Sequence, residues 1–296
     1  MPGLLMSIFC AASVGVSRAQ PSGAAAPLQI NLDAFEAKKK KITLPNGERL
    51  AYIDAGDPSS QAVVLIHGFT DNARDWVPVL PYLSNRFRLI LVDVRGHGQS
   101  SKPECCYTRF DFAYDIKQLL DYLRIRKADF VGHSMGSVIA QTLAEFWPER
   151  TRRVVLISST AIAPNFDFSD IRNLKEPIEP DSPFMIAWWS SPNPVNDEFI
   201  RRQRKDAAGI PLRVWLAVLD QMIDDSGLQG TLPRLKAPTL LIWGSADFIF
   251  KEPERDSLRK ALPSAEVKVF EGLGHNPFWE DPFAVAATVN RFLALP

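Results

Sequence analysis

The chain has 296 residues, 46% of them hydrophobic and 23% charged. That suits one large α/β domain with an insertion, or two domains, either with a sizeable core. Lys plus Arg and Asp plus Glu each number 34, so the formal net charge is zero and nothing global calls for nucleic acid or an acidic partner.

The first stretch, Leu4 to Val14, is a short apolar run followed by Ser17-Arg18-Ala19. Small residues there frame a cleavage site, so residues 1–19 read as an export signal cut after Ala19. The run is too short to span a bilayer. The mature chain is therefore expected to be secreted or periplasmic, with no stable membrane anchor. Residues 20–38 read as a linker, rich in Ala, Pro, Ser and Gly over Gln20 to Pro27, ahead of a main domain over residues 39–296. The basic run Lys38 to Lys41 lacks interleaved aromatics and reads as a solvated strand entrance.

A hairpin follows, Ile42-Thr43-Leu44 and Leu50-Ala51-Tyr52-Ile53 around Asn46-Gly47. Val63 to Ile66 is a continuous apolar run, as expected of a strand buried on both faces. It ends in His67-Gly68-Phe69, where Gly68 lets the backbone turn tightly and the N–H of Phe69 becomes a candidate oxyanion donor. An amphipathic helix is predicted around Trp76 to Leu83, then a buried strand Leu89 to Val92. Asp93, Arg95 and His97 after it read as a hydrogen-bonded brace under the site. Cys105 and Cys106 are adjacent; a vicinal disulfide is strained, so free thiols are the default, with an oxidised ring as the alternative in an exported chain. No Cys/His spacing suggests a metal site.

Phe112, Ile116, Leu119, Leu120 and Leu123 share one helical face. The apolar run Ala128 to Val131 then enters Gly132-His133-Ser134-Met135-Gly136 and a helical pattern from Val138 to Phe146. This is G-x-S-x-G between strand and helix, a sharp turn that lifts a serine out of the sheet. Gly132 and Gly136 fit because they carry no side chain to collide, and the N–H of Met135 is a second oxyanion donor. The strand Val154 to Ile157 follows. From about residue 160 to 232 no strand is predicted, and prolines punctuate a helical stripe of Leu212, Trp215, Leu216, Leu219, Met222 and Ile223. This reads as a helical cap. Its cluster Phe184, Met185, Ile186, Trp188 and Trp189 is expected to roof the catalytic edge, with Phe184, Trp188 and Trp189 as substrate-binding residues. Alternation resumes with the strand Thr239 to Trp243, a loop holding Asp247, a helix around Arg255 to Leu262, the strand Val267 to Phe270, a loop holding His275, and a closing helix from about Phe283 to Leu293. Strands alternating with helices imply a parallel, doubly covered sheet.

A serine hydroxyl needs a neighbouring base to attack at neutral pH. A histidine supplies it, and a carboxylate holds that histidine's tautomer. Ser134, Asp247 and His275 occur in that order, each in a loop after a strand; His133 points away in such a turn and is not assigned as base. With these stretches the chain resembles the α/β-hydrolase superfamily, specifically its capped, single-domain serine-esterase-like branch. The resemblance implies a mostly parallel eight-stranded sheet with helices on both faces. It further implies cofactor-free hydrolysis of a small-molecule carboxylic ester through an acyl-enzyme. Ser134 would attack, His275 shuttle the proton, Asp247 orient it, and the N–H groups of Phe69 and Met135 bind the oxyanion. Dehalogenases and epoxide hydrolases of this branch carry aspartate where Ser134 stands. Lactonases, carbon–carbon bond hydrolases and cofactor-free perhydrolases share the triad and stay open, as does a ligand receptor derived from the same scaffold.

Overall fold

The structure is a computed structural model that describes residues 29–223 and 228–295. The expected leader, its cleavage after Ala19 and the first part of the linker lie outside the described residues. Eight strands form one sheet: β1 (Lys40–Thr43), β2 (Arg49–Ala55), β3 (Gln61–Ile66), β4 (Phe87–Asp93), β5 (Ala128–His133), β6 (Thr151–Ile157), β7 (Thr239–Gly244) and β8 (Glu266–Phe270). Their order is β1-β2-β4-β3-β5-β6-β7-β8. β1 pairs antiparallel with β2, and β2 with β4; every later pairing is parallel. Gly47 turns the β1–β2 hairpin at φ 89°, with its N–H donating to the Leu44 carbonyl at 2.9 Å.

The parallel strands are apolar on both faces because helices cover both. Val63, Val64, Leu65 and Ile66 on β3 and Leu240, Leu241, Ile242 and Trp243 on β7 are all buried. Each such side chain contributes about 1.5–3 kcal/mol of transfer free energy, an upper figure because unfolded chains already bury some surface. The helix Arg109–Tyr122 starts at a capping box in which Thr108 and Asp111 satisfy each other's backbone N–H groups. It buries Phe112, Ile116, Leu119 and Leu120. The helix Met135–Phe146 is buried from Met135 to Glu145 and packs between it and the sheet.

Local expectations shift in several places. Trp76 to Leu83 is not an amphipathic helix. Pro78 and Pro81 each lack a backbone donor, and the segment settles into two short tight turns, Ala73–Trp76 and Leu80–Tyr82. The linker ends early: Leu32–Glu36 is a helix capped by the Asn31 side chain, with Leu32 and Phe35 buried. Lys39 is not solvated; its ammonium lies 2.9 Å from both Glu36 and Asp93, with its side chain 1% exposed. A basic run shows its charge in the sequence but not the buried acid that claims one member. Cys105 and Cys106 are joined as a vicinal disulfide, not free thiols. Cys106 takes the left-handed region at φ 75°, which folds the two side chains onto each other.

Between β6 and β7 the described residues hold no strand. They include the helices Pro183–Trp188, Asp197–Ala208 and Leu212–Val218, the last continuing through a wider turn over Leu219–Ile223. The buried stripe is Val214, Trp215, Val218, Leu219 and Met222. Among the described residues no helix is long and apolar enough to cross a membrane.

Candidate active site

The loops after β3, β5, β7 and β8 gather at the strands' C-terminal edge, the usual ligand edge of such a sheet. Ser134 sits at the tip of the turn after β5 with φ 50° and ψ −118°. A serine at positive φ is strained and persists only where its surroundings enforce it. Here they do. The Ser134 N–H donates to the Ile157 carbonyl at 2.9 Å, and its own carbonyl accepts from the Ser137 N–H and hydroxyl at 2.9 and 2.5 Å. A Cβ on Gly132 would stand 2.2 Å from the Gly136 carbonyl oxygen, and one on Gly136 would stand 2.2 Å from that of Ile66. The serine is thus fixed by backbone contacts no larger residue permits.

His275 is 8% exposed, and its Nδ1 lies 3.0 Å from both carboxylate oxygens of Asp247. A carboxylate accepts, so Nδ1 carries the proton and Nε2 is left free to act as a base. Burial pushes Asp247 up. The charge and hydrogen bond of His275 and the N–H groups of Phe250 and Ile249 outweigh that, holding it below the usual carboxylate range. Asp247 is therefore charged at neutral pH.

Ser134 and His275 line one cavity with Phe69 and Met135, under a roof that includes Trp188 and Trp189. The rest of the lining is largely apolar, including Val138, Ile162, Pro164, Phe168, Met222 and Phe248. The backbone N–H of Phe69 and that of Met135 have no acceptor within the described residues. Trp188 donates its indole N–H to Thr70 Oγ1 at 3.1 Å and meets the Phe69 ring edge-on at 6.3 Å. Phe184 does not line the cavity. It lies one helical turn before Trp188 on the same face, stacks on it at 5.9 Å and leans on Trp215 at 6.4 Å, supporting the roof from behind. Ile186, from the same cluster, is half exposed.

A family model for the alpha/beta hydrolase fold matches residues 61–183 and 189–282. The chain belongs to the α/β-hydrolase fold family. It is 27% identical to a putative 2-succinyl-6-hydroxy-2,4-cyclohexadiene-1-carboxylate synthase of Bacillus subtilis, over 85% of this chain and 97% of that one. It is 25% identical to lipase 1 of Psychrobacter immobilis, over 97% and 94%. Among solved structures it resembles a hydrolase from Pseudomonas aeruginosa at 25% identity and a TM-score of 0.74, covering 87% of this chain and 98% of the other.

This α/β hydrolase also carries a support layer that motif reading found only in part. Asp93 does serve as a brace: its carboxylate accepts from the N–H groups of Ala73 and Gln99 at 2.8 Å and from Lys39. Arg95 pairs with both oxygens of Asp115 at 2.6 and 2.7 Å. His97 hydrogen-bonds the Arg95 carbonyl at 2.9 Å through Nδ1. His67 donates from Nδ1 to the Gly68 carbonyl at 2.8 Å and accepts the Val94 N–H on Nε2 at 3.1 Å, which fixes the turn before Phe69. Sequence reasoning missed Asp71, Asp75 and Glu280. Asp71 lines the cavity, and burial first, then Asp75, pushes its carboxyl well above the usual range. Glu280 accepts the Gly274 N–H at 2.8 Å beside the His275 loop. No spacing marks these acids; Trp279 and Gln203, which contact the first two, come from distant parts of the chain.

Proposed function

We propose that this α/β hydrolase is a serine esterase that cleaves carboxylic esters of apolar, small to medium substrates through an acyl-enzyme. The observation that carries the reading is His275, held at 3.0 Å by an ionised, buried Asp247 and sharing one cavity with a strained Ser134 at the tip of its turn. In the proposed cycle the Ser134 hydroxyl adds to the ester carbonyl as its proton passes to Nε2 of His275. The oxyanion is bound by the N–H groups of Phe69 and Met135. Collapse expels the alcohol, which takes that proton, and water repeats the sequence to release the acid. The negative charge of Asp247 stabilises the imidazolium in between. The apolar lining and the two tryptophans favour an apolar acyl or aryl group and exclude water from the oxyanion. The scheme calls for no cofactor.

The export reading stands beside it as a proposal: protein recovered from a secreting host should begin at Gln20, and an intact Met1 by mass spectrometry would end it. The function itself is tested with a panel of p-nitrophenyl esters, lactones and vinylogous diketones, with Ser134→Ala as control. Turnover of the esters, abolished in the variant, is the expected result. Preference for lactones or diketones would redirect the assignment to another hydrolysis on the same residues, and stoichiometric labelling without turnover would point to a receptor.

A further inference from the structure

Asp75 lies in the turn after β3, is fully buried and does not line the cavity. Its Oδ1 accepts the indole N–H of Trp279 at 2.8 Å. Its Oδ2 faces Nδ1 of His133 at 3.6 Å, and neither of these two atoms has a hydrogen-bond partner. The other ring nitrogen of His133, Nε2, lies 3.0 Å from the carbonyl oxygen of His275. A carbonyl oxygen can only accept, so Nε2 carries the ring proton. His133 is neutral: burial foremost, and then the charge of His275, holds it well below the ordinary histidine range. Nδ1 is therefore a bare lone pair. A carboxylate opposite it would set two acceptors against each other in a dry site, whereas a proton on Oδ2 makes them donor and acceptor.

We propose that Asp75 acts as a carboxylic acid that fixes the tautomer of His133 and, through it, positions the loop carrying His275. The inference rests on His275 being the catalytic base. In this state two donors hold the His275 carbonyl, Nε2–H of His133 and the Ser158 hydroxyl at 2.7 Å. Removing the Asp75 proton reverses the ring. Nδ1 then takes the proton to face the carboxylate, and Nε2 turns a lone pair on the His275 carbonyl. One of the two supports becomes a repulsion. Asp75 is a positioning residue here, since it touches neither substrate nor reacting atoms.

Burial is the main influence on Asp75 and, against the Trp279 hydrogen bond, pushes it up to about 8. The titratable groups facing the Asp75–His133 pair are Asp71 in the same turn, His67 at the end of β3, Asp247 after β7 and His275 after β8. Asp71 is itself buried and pushed up, and any negative charge it took on would hold the proton on Asp75 more firmly.

The test compares wild type with Asp75→Asn. The Asn carbonyl must face Trp279, so its amide N–H₂ is fixed toward His133 and replaces the acid's proton permanently. Two readouts are taken: kcat and KM for p-nitrophenyl butyrate against pH, and the His133 tautomer by long-range proton–nitrogen NMR. In wild type, kcat should fall up to about tenfold between roughly pH 7 and pH 9, tracking the protonated fraction, with KM nearly constant. Over the same range His133 should pass from the Nε2–H to the Nδ1–H form. Asp75→Asn should stay within about twofold of wild type near pH 7, hold that rate to pH 9, and keep Nε2–H throughout. An Nδ1–H tautomer in wild type at neutral pH overturns the inference. So does an alkaline fall that persists in Asp75→Asn, or a divalent ion retained by wild type and removed by chelator with a change in rate. Absence of ester turnover with the tautomer change intact would overturn the esterase reading alone.

Discussion

The indole of Trp188 is tied to the hydroxyl of Thr70 at 3.1 Å, so the β6–β7 insertion is bonded to the residue next to Phe69, the proposed oxyanion donor. Thr70 is β-branched yet adopts φ 66°, a costly conformation, and its hydroxyl also donates to the Phe69 carbonyl at 2.6 Å. Trp188 thereby supplies both roof and anchor. Trp188→Ala should change the ratio of rate constants for short and long acyl esters by on the order of tenfold, from roughly 1–3 kcal/mol of lost apolar contact. Trp188→Phe keeps most of the area and loses the donor, so it should lower kcat while leaving the chain-length ratio close to wild type. A lowered melting temperature with both quantities unchanged would reduce Trp188 to packing.

Ser134→Ala, His275→Ala and Asp247→Asn should each remove several orders of magnitude from kcat, and double variants little more, because such groups act as a unit. Steady-state kinetics on the full set decides. Near-full activity in Asp247→Asn would place the acid elsewhere.

Gly136→Ala should be poorly folded or inactive. The added methyl would stand 2.2 Å from the Ile66 carbonyl oxygen and 2.5 Å from that of His67, both backbone atoms that cannot swing away. The expected loss is at the severe end of single substitutions, about 4 kcal/mol or more. Gly47→Ala makes a useful contrast. Nothing lies within 4 Å of its would-be methyl, so only the positive φ is strained, and the cost should be roughly 1 kcal/mol. Urea midpoints of equal size for the two variants would contradict this account.

The buried histidines should contribute less stability on mild acidification. Burial pushes His67 and His97 down to about 3 and His133 well below its usual value, so all three stay neutral in the folded protein. Unfolded histidines titrate near 6.5, so below that pH the unfolded chain binds protons the native state refuses. The stabilisation is complete above about pH 6.5 and shrinks as pH falls, by about 1.4 kcal/mol per unit for each histidine, until the native values are reached. Asp247 works in the same direction lower down: its contribution is present above the unfolded carboxylate value near 3.9 and lost as pH falls through its depressed native value. Asp71 and Asp75, pushed up by burial, work against this over the same range, because they keep protons in the folded protein that the unfolded chain has lost. Denaturant titrations of wild type and His97→Gln at pH 7 and pH 5 isolate the histidine part: the variant should lose less stability, or gain more, on going to pH 5 than wild type, and an identical pH dependence would refute it.

The strands were legible because residues such as Val63 to Ile66 and Leu240 to Trp243 must be apolar on both sides of a covered sheet. The turn at Ser134 was legible because its two glycines are forced by backbone contact, and Asp247 and His275 because each follows a strand. What escaped depends on partners far along the chain. Lys39 looks solvated until Asp93 is placed 2.9 Å away. Phe184 and Trp188 share one helical face, and the sequence does not show that Trp188 reaches the cavity while Phe184 stacks on it without lining it. Asp71 and Asp75 read as loop acids, and their burial emerges only once His133, Gln203 and Trp279 close around them.

Glu280 accepts from the Gly274 N–H with one oxygen and from the Asn193 amide with the other, at 2.8 and 2.6 Å, and Asn193 also donates to the Gly272 carbonyl at 2.8 Å. The segment just before His275 is thus fastened to the insertion that roofs the cavity. In the proposed cycle, lifting this insertion to admit a larger substrate would pull, through the same linkage, on the loop that carries His275. Oversized esters would accordingly still dock but react slowly, so size discrimination falls on turnover more than on binding. Cutting the tether with Asn193→Ala would let bulk and speed vary separately, a handle for broadening the substrate range without reshaping the pocket wall.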